Sequence, residues 1–137
     1  MSEIKLSDHQ RWQGNYKGID YQIVKWKPGY YQTNPEYDDG YKWNYYIFVK
    51  PRKLKTRVLG ELGKIVDDYK MYPDVEMHGG ITYWARKKTS RLIEVDELGC
   101  DYSHSWDDGV TYDVDDLLKD IKHTIDTLPA DLFFETI

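Results

Sequence analysis

The chain lacks several features that would place it in a common class of protein. It has one cysteine in 137 residues, which excludes an internal disulfide and suits a reducing compartment. It has no run of about 18 apolar residues that could span a bilayer. Residues 1–5 lead into polar sequence rather than into a signal peptide. We therefore expect a cytoplasmic protein without membrane contact.

Basic residues are also in deficit. The 19 lysines and arginines are outnumbered by 24 acidic residues, for a net charge of -5, and affinity for nucleic-acid phosphates depends on cationic side chains. Direct binding of nucleic acid is therefore not expected, whereas a strongly cationic partner protein would be attracted. A hydrophobic fraction of 40% argues against disorder, and the length is that of one domain, residues 1–137.

Alternation of apolar and polar residues predicts β-strands in four stretches. Residues 16–26 and 41–49 show it most clearly, and residues 41–49 carry apolar or aromatic side chains on both faces, as a central strand does. A third strand around residues 81–85 and a fourth that begins near residue 92 flank a polar turn at residues 86–90. A hairpin of this kind favours a mainly antiparallel sheet.

Apolar residues at helical spacing predict a C-terminal helix over about residues 113–128, with Asp113 as its N-cap and Pro129 at its end. The same spacing predicts a second helix over residues 56–69. A short helix capped by Ser7 is expected at the N-terminus. The predicted fold class is therefore α+β, with a mainly antiparallel sheet of four or more strands covered by one or two helices.

The stretch from residue 78 to residue 107 holds the residues most suited to chemistry. Imidazole and carboxylate groups bind zinc, and a closed zinc site takes four ligands in a tetrahedron. The predicted hairpin returns the end of its second strand to the start of its first, which would bring together ligands from distant parts of the chain. The predicted ligands of one structural zinc ion per chain are His78, Asp101, His104 and Asp107.

Two alternatives to this zinc site stay open. The histidines can be ordinary polar turn residues, and aspartates commonly cap turns. The site can also be catalytic, with water in place of Asp107, because catalytic zinc keeps one position open. No serine or cysteine has a convincing histidine base, and Asp101 beside Cys100 would raise the pKa of the thiol. No catalytic residue is therefore predicted, and an enzyme is the less favoured interpretation.

A loop rich in tyrosine and aspartate precedes the predicted central strand. Tyrosine is enriched at protein interfaces, and the chain contains 13 of them. Carboxylates in the same loop could contact arginine or lysine of a partner. The predicted partner-binding residues are Tyr30, Tyr31, Tyr37, Asp38, Asp39 and Tyr41. The alternative is that these tyrosines only pack over the edge of the sheet, as aromatic residues suit strands.

The motif His78-Gly-Gly-Ile-Thr-Tyr, followed by Gly99-x-Asp-x-x-His-x-x-Asp, resembles a pattern in small proteins of bacteriophages and prophages. The resemblance covers about the C-terminal half of the chain. It implies that the predicted metal ligands of this chain occupy the same positions as those of the phage proteins. Members often read Gly-Phe-Asp-Cys-Ala-His, whereas here Cys100 precedes the aspartate and Ser103 precedes the histidine. More loosely, the chain is similar to metal-containing anti-CRISPR inhibitors that block the nuclease Cas9.

Three functional hypotheses follow. The first, which the resemblance implies, is a phage-type inhibitor that binds a defence protein in the cytoplasm of its bacterial host, with Cas9 as the candidate and zinc holding its shape. The second is a small metal-dependent hydrolase. The third is a protein that binds a small signalling nucleotide by stacking on its tyrosines and tryptophans. The sequence does not indicate the oligomeric state of the protein.

Overall fold

The computed structural model describes residues 10–27, 41–52, 72–102 and 111–134. Within these ranges, five strands form one sheet in the order β1-β2-β3-β5-β4, and every neighbouring pair is antiparallel. One α-helix follows the sheet in the chain. The elements are β1 Gln10–Tyr16, β2 Ile19–Trp26, β3 Lys42–Val49, β4 Tyr83–Lys88, β5 Glu94–Asp101 and α1 Val114–Asp126. The predicted α+β class is confirmed.

The hairpin of β1 and β2 turns at Lys17 and Gly18. Both residues have a positive φ, 51° and 85°, as a tight two-residue turn between twisted strands requires. The prediction of an N-terminal helix is wrong for residues 10–16, because this segment is the strand β1 and its backbone pairs with β2. Ser7, its expected cap, lies outside the described residues.

β3 is the central strand, as predicted. It pairs with β2 on one side and β5 on the other, and every second residue along it is buried. Tyr45 lies between Ile23 of β2 and Cys100 of β5. The alternation of β3 thus divides the sheet into a face that packs on the helix and a face that does not.

The helix α1 begins with a reciprocal capping box. Asp113 accepts a hydrogen bond from the backbone N–H of Asp116, and Asp116 accepts one from the N–H of Asp113, both at 2.9 Å. The predicted bounds of 113–128 agree with the observed Val114–Asp126 to within two residues at the C-terminal end. The second helix predicted at residues 56–69 lies outside the described residues.

The core lies between α1 and one face of the sheet. The helix packs on β2 and β3, and its buried residues meet the buried positions of the three central strands. Burial of these aliphatic and aromatic side chains is the main stabilising contribution to the fold. The largest fully buried members are Tyr45, Tyr72, Ile19, Ile23, Ile47, Leu98, Leu117, Ile121, Ile125 and Leu132.

The opposite face of the sheet, called here the open face, has no such cover in the part of the chain that the structure describes. Strand alternation places one cation from each of three strands on it, Arg11, Lys42 and Lys87. It also carries four large aromatic side chains, Trp26, Tyr46, Phe48 and Tyr83. A sheet face of this composition is suited to contact with another molecule.

Candidate functional site

His78 lies in a tight turn at the edge of the core. Gly79 and Gly80 have φ values of 67° and 94°, and the N–H of Gly80 bonds to the carbonyl of Met77 at 2.9 Å. The backbone N–H of His78 donates to the hydroxyl of buried Tyr45 at 3.2 Å. The two glycines therefore permit a turn that fixes His78 against the centre of the sheet.

The imidazole of His78 belongs to an aromatic and acidic cluster. It stacks on the ring of Tyr102 with a centroid distance of 3.8 Å and an interplanar angle of 9°, and Tyr112 meets it edge-on at 6.1 Å. Its Nδ1 lies 3.7 Å from Oδ2 of Asp120. The hydroxyl of Tyr102 donates to the same oxygen of Asp120. Burial, reinforced by this carboxylate, raises the pKa of Tyr102.

The predicted metal ligands are only partly described by the structure. Asp101 ends β5 opposite Asn44, and alternation places its side chain on the other face of the sheet from Cys100. His104 and Asp107 lie outside the described residues. Within the ranges that the structure covers, no three or more histidine, cysteine, aspartate or glutamate side chains form a group able to hold a metal. The zinc site therefore stays a prediction.

Asp120 is the carboxylate beside His78 that the sequence did not reveal as a candidate. Zn–N and Zn–O bonds of about 2.0–2.2 Å place two tetrahedral ligands about 3.4 Å apart, which is close to the 3.7 Å between Nδ1 and Oδ2 here. His78 and Asp120 thus fit as a nitrogen and an oxygen donor. One feature of the sequence could have pointed to Asp120 as a candidate. It precedes the buried Ile121, at the border of the apolar stripe of α1.

Cys100 is buried in the core, next to Tyr45 in the register of β3 and β5. Burial raises the pKa of its thiol to about 12, and the charge of Asp101 adds to this effect. The thiolate is the reactive form of cysteine. Cys100 is therefore an unreactive core residue at neutral pH. Burial raises the pKa of its thiol more than the charge of Asp101 does.

Of the predicted partner-binding residues in the tyrosine-rich loop, the structure describes only Tyr41. Tyr41 precedes β3, and the ammonium groups of Lys25 and Lys27 lie 4.3 and 5.3 Å from the centroid of its ring. These cation–π contacts hold Tyr41 against its own sheet. Tyr30, Tyr31, Tyr37, Asp38 and Asp39 lie outside the described residues, so their role in binding stays a prediction.

A groove of about 460 Å³ crosses the open face. Four of the five strands supply most of its walls, and Glu97 of β5 lies in its floor. We call it the sheet groove. It is lined by Arg11, Gln22, Val24, Trp26, Asn44, Tyr46, Tyr83, Lys87 and Glu97.

Gly99 of β5 determines how the aromatic rings lie beside the sheet groove. A Cβ at this position would lie 2.5 Å from Cδ1 of Tyr46 and 3.3 Å from Cβ of Tyr83. The rings of Tyr46 and Tyr83 meet edge to face, with centroids 5.6 Å apart. The lack of a side chain at Gly99 therefore lets both rings lie across β5.

The polar groups of the sheet groove are held in place by their neighbours. Nζ of Lys87 lies 2.6 Å from Oε1 of the buried Glu97, and Nε1 of Trp26 donates to Oδ1 of Asn44 at 2.7 Å. Arg11 is exposed and has no ion-pair partner among the described residues. The groove thus offers positioned aromatic walls and one available cation.

Comparison of the chain with protein-family models, with curated proteins and with solved structures finds no match. None of the helices that the structure describes is long and apolar enough to cross a membrane.

Proposed function

We propose that this chain is a binding protein that acts by occupying the surface of another protein, as an inhibitor does. The observation that carries the proposal is the sheet groove. Its aromatic walls lie on a sheet that α1 supports from behind, so they are already ordered before binding. A preformed surface of this kind loses little conformational entropy when a partner docks.

The composition of the open face supports a protein partner rather than a nucleic acid. Tyrosine, tryptophan and arginine are the residues that dominate binding energy at protein interfaces, and the groove has all three. By alternation the open face carries three cations, which are balanced by Asp20, Glu97 and Asp101. Binding to a phosphate backbone would need an excess of cations.

The narrower form of the proposal is a phage-type inhibitor of a host defence protein, with a Cas9-type nuclease as the candidate partner. Its support is the motif that begins at His78 and the net charge of -5, which favours encounter with a cationic, nucleic-acid-binding protein. In this proposal a zinc ion near His78 stabilises the fold and takes no part in a reaction. In this form of the proposal the chain inhibits by binding, and an enzymatic activity is the less favoured alternative.

The test is co-purification with a guide-loaded Cas9-type nuclease, together with an assay of DNA cleavage. The wild-type chain should form a stable complex and block cleavage. Tyr83→Ala and Arg11→Ala should each weaken binding by about thirtyfold, the effect of losing one strong interface residue. Lys119→Ala removes an exposed cation on α1 and should bind normally. A nuclease that neither binds nor loses activity would contradict the narrower proposal.

A second candidate is the binding of a small nucleotide, and the size of the sheet groove favours it. Pockets for small ligands measure about 300–1,000 Å³, a range that includes the 460 Å³ found here. Trp26 and Tyr46 would stack on a base, and Arg11 would face a phosphate. Heat-denatured protein should then release an ultraviolet-absorbing ligand, and added nucleotide should quench the tryptophan fluorescence of the wild type more than that of Trp26→Phe. If neither occurs, the nucleotide hypothesis fails.

A further inference from the structure

The strand β1 forms an edge of the sheet, and its outer side is unpaired in the part of the chain that the structure describes. β1 follows β2 in an unbroken register from Gln10–Lys25 to Tyr16–Ile19, and the order β1-β2-β3-β5-β4 places no strand beyond it. Among the described residues, the backbone of residues 10–16 makes no hydrogen bond other than those to β2. A free edge of this kind is a template for the addition of another strand.

The turn of the first hairpin determines which backbone groups of β1 point outward. Its two turn residues have positive φ, so Tyr16 and Ile19, which flank them, are a hydrogen-bonded pair. Bonded and non-bonded pairs alternate along antiparallel strands. The N–H and C=O groups that point away from β2 therefore belong to every second residue of β1, namely Arg11, Gln13 and Asn15.

The two edges of the sheet differ in how far they are protected against strand addition. Proteins protect free edges with lysines, prolines or bulges. β4, the other edge, carries three consecutive cations, Arg86, Lys87 and Lys88, and Arg86 also donates to the carbonyl of Arg52 at 2.7 Å. β1 has no bulge in its register, no proline and a single charged residue, Arg11. β1 is therefore the less protected edge.

Both faces of β1 present side chains that a further strand would contact. On the core face, Trp12 and Tyr16 are half-buried against the core, and the ring of Trp12 stacks on that of Trp43 with centroids 5.8 Å apart. Apolar side chains beside Trp12 and Tyr16 would remove more of their surface from water. On the open face, Arg11 is exposed and lines the sheet groove, where an acidic side chain would pair with it.

The charge of β1 favours a strand of another protein over a second copy of β1. The sequence of β1 contains no acidic residue, so pairing of two β1 strands would leave both Arg11 side chains without a carboxylate. A strand of another protein can supply apolar residues at alternate positions and an acid opposite Arg11. In strand addition, main-chain hydrogen bonds provide affinity and the alternating side chains provide specificity.

We propose that β1 binds an extended segment of a partner protein as an additional strand of the sheet. The segment places apolar residues beside Trp12 and Tyr16 and an acidic residue beside Arg11. The site rests on the proposed function, because it names the part of a partner protein that the chain recognises. It also extends the sheet groove, since Arg11 lines the groove and contacts the added strand.

The probe for this site is a capped peptide of sequence Val-Thr-Val-Thr-Val-Glu-Thr. When the peptide runs antiparallel to β1, its glutamate lies opposite Arg11 and its valines lie on the core face. The peptide contains no part of a nuclease, so its binding does not depend on whether a Cas9-type protein is the partner. Amide hydrogen exchange of the full chain, followed by NMR, provides the measurement. The outward amides of Arg11, Gln13 and Asn15 should exchange fast in the free chain, and bound peptide should slow them by at least about tenfold.

Two proline variants locate the contact. Gln13→Pro removes an outward N–H and keeps the ladder to β2. It should weaken peptide binding by about tenfold, the upper range for one hydrogen bond, while the inward amide of Gly14 stays protected. Lys88→Pro is the matched control on β4. Its N–H also points outward, because the next residue, Thr89, donates to the carbonyl of Ile93 at 2.8 Å. This control should bind the peptide like wild type.

A charge reversal tests the acidic contact. Arg11→Glu should weaken peptide binding about threefold, the effect of one exposed ion pair, and a peptide with lysine in place of glutamate should restore it. Edge amides that the peptide leaves unprotected, equal affinity of Gln13→Pro and wild type, loss of binding in Lys88→Pro, or a lysine peptide that restores nothing would each overturn the proposal. A free chain that dimerises in sedimentation equilibrium and already protects these amides would also overturn it, because a second copy would then occupy the edge.

Discussion

Arg86 and Asp96 form an ion pair across β4 and β5, with Nε of the arginine 2.8 Å from Oδ1 of the aspartate. Asp96 is fully buried, and the hydroxyl of Tyr72 donates to its other oxygen. Arg86 also donates to the carbonyl of Arg52 at 2.7 Å. The pair therefore joins the edge of the sheet to Arg52 and Tyr72, which both lie outside the helices and strands of the described residues.

Replacing the buried carboxylate should destabilise the protein strongly. Asp96→Asn removes the charge that balances Arg86, and loss of one partner from a buried pair costs about 3–5 kcal/mol. The free energy of unfolding in urea measures this. Glu94→Gln, an exposed acid on the same strand, is the matched control and should change stability little. Equal stability of the two variants would show that the pair contributes no more than a surface contact.

The contacts of Arg52 predict a loss of stability in acid. Its guanidinium bonds to Asp74 at 2.7 Å and to Asp131 at 2.9 Å, and these hydrogen bonds lower the pKa of both carboxyl groups below the usual 3.8. A lowered pKa stabilises the fold above the unfolded-state value, and that contribution disappears as the pH falls through the folded-state value. Both carboxylates are about half exposed, so solvent screens the effect.

Arg52→Met tests this pH dependence. Its free energy of unfolding should lie below that of wild type at pH 6, and the gap should narrow as the pH falls below about 4, the usual carboxyl range. Urea denaturation at a series of pH values provides the measurement. Lys122→Met, a cation on α1, should give a curve parallel to wild type. A gap that stays constant down to pH 2 would argue that Arg52 acts through packing alone.

The thiol of Cys100 should not react while the protein is folded. Burial raises its pKa to about 12, and almost no thiolate is present at pH 8. We expect no labelling by Ellman's reagent in native buffer and one thiol per chain after addition of guanidinium. Fast labelling of the native protein would mean that the strand end at Cys100 opens readily.

Zinc content is predicted to depend on His78. Elemental analysis of untagged protein should find about one zinc per chain, and His78→Ala and His104→Ala should lose it together with thermal stability. His123→Ala is the control, because that histidine is exposed and pairs with Glu76 at 2.9 Å. Comparison of Asp101→Asn with Asp120→Asn then shows which carboxylate binds. A metal-free wild type that is fully folded would contradict the zinc prediction.

Local periodicity explains what could be predicted of this fold. The alternation of β3 and the apolar stripe of α1 with its Asp113 cap are each contained in one segment, and both predictions are confirmed. The turn of the β4–β5 hairpin comes later than the predicted residues 86–90. Arg86 and Lys87 remain in the strand because acidic residues of β5 pair with them.

The site was less predictable because it depends on register and on contacts between distant segments. Alternation shows that Tyr46 lies on the second face of β3, but not that Gly99 is its neighbour and leaves room for its ring. Likewise no spacing in the sequence brings Asp120 of α1 to His78, since packing of the helix on the sheet determines that contact. The sheet groove therefore emerged only from the structure.

Site-specific photocrosslinking can show whether the open face is the surface that binds a partner protein. A photoreactive phenylalanine analogue would replace Tyr83 beside the sheet groove or, as the control, Lys119 on α1, each in complex with the guide-loaded Cas9-type nuclease. We predict a covalent adduct with the nuclease from position 83 and none from position 119. An adduct from position 119 alone, or from neither position, would mean that the open face does not bind the nuclease.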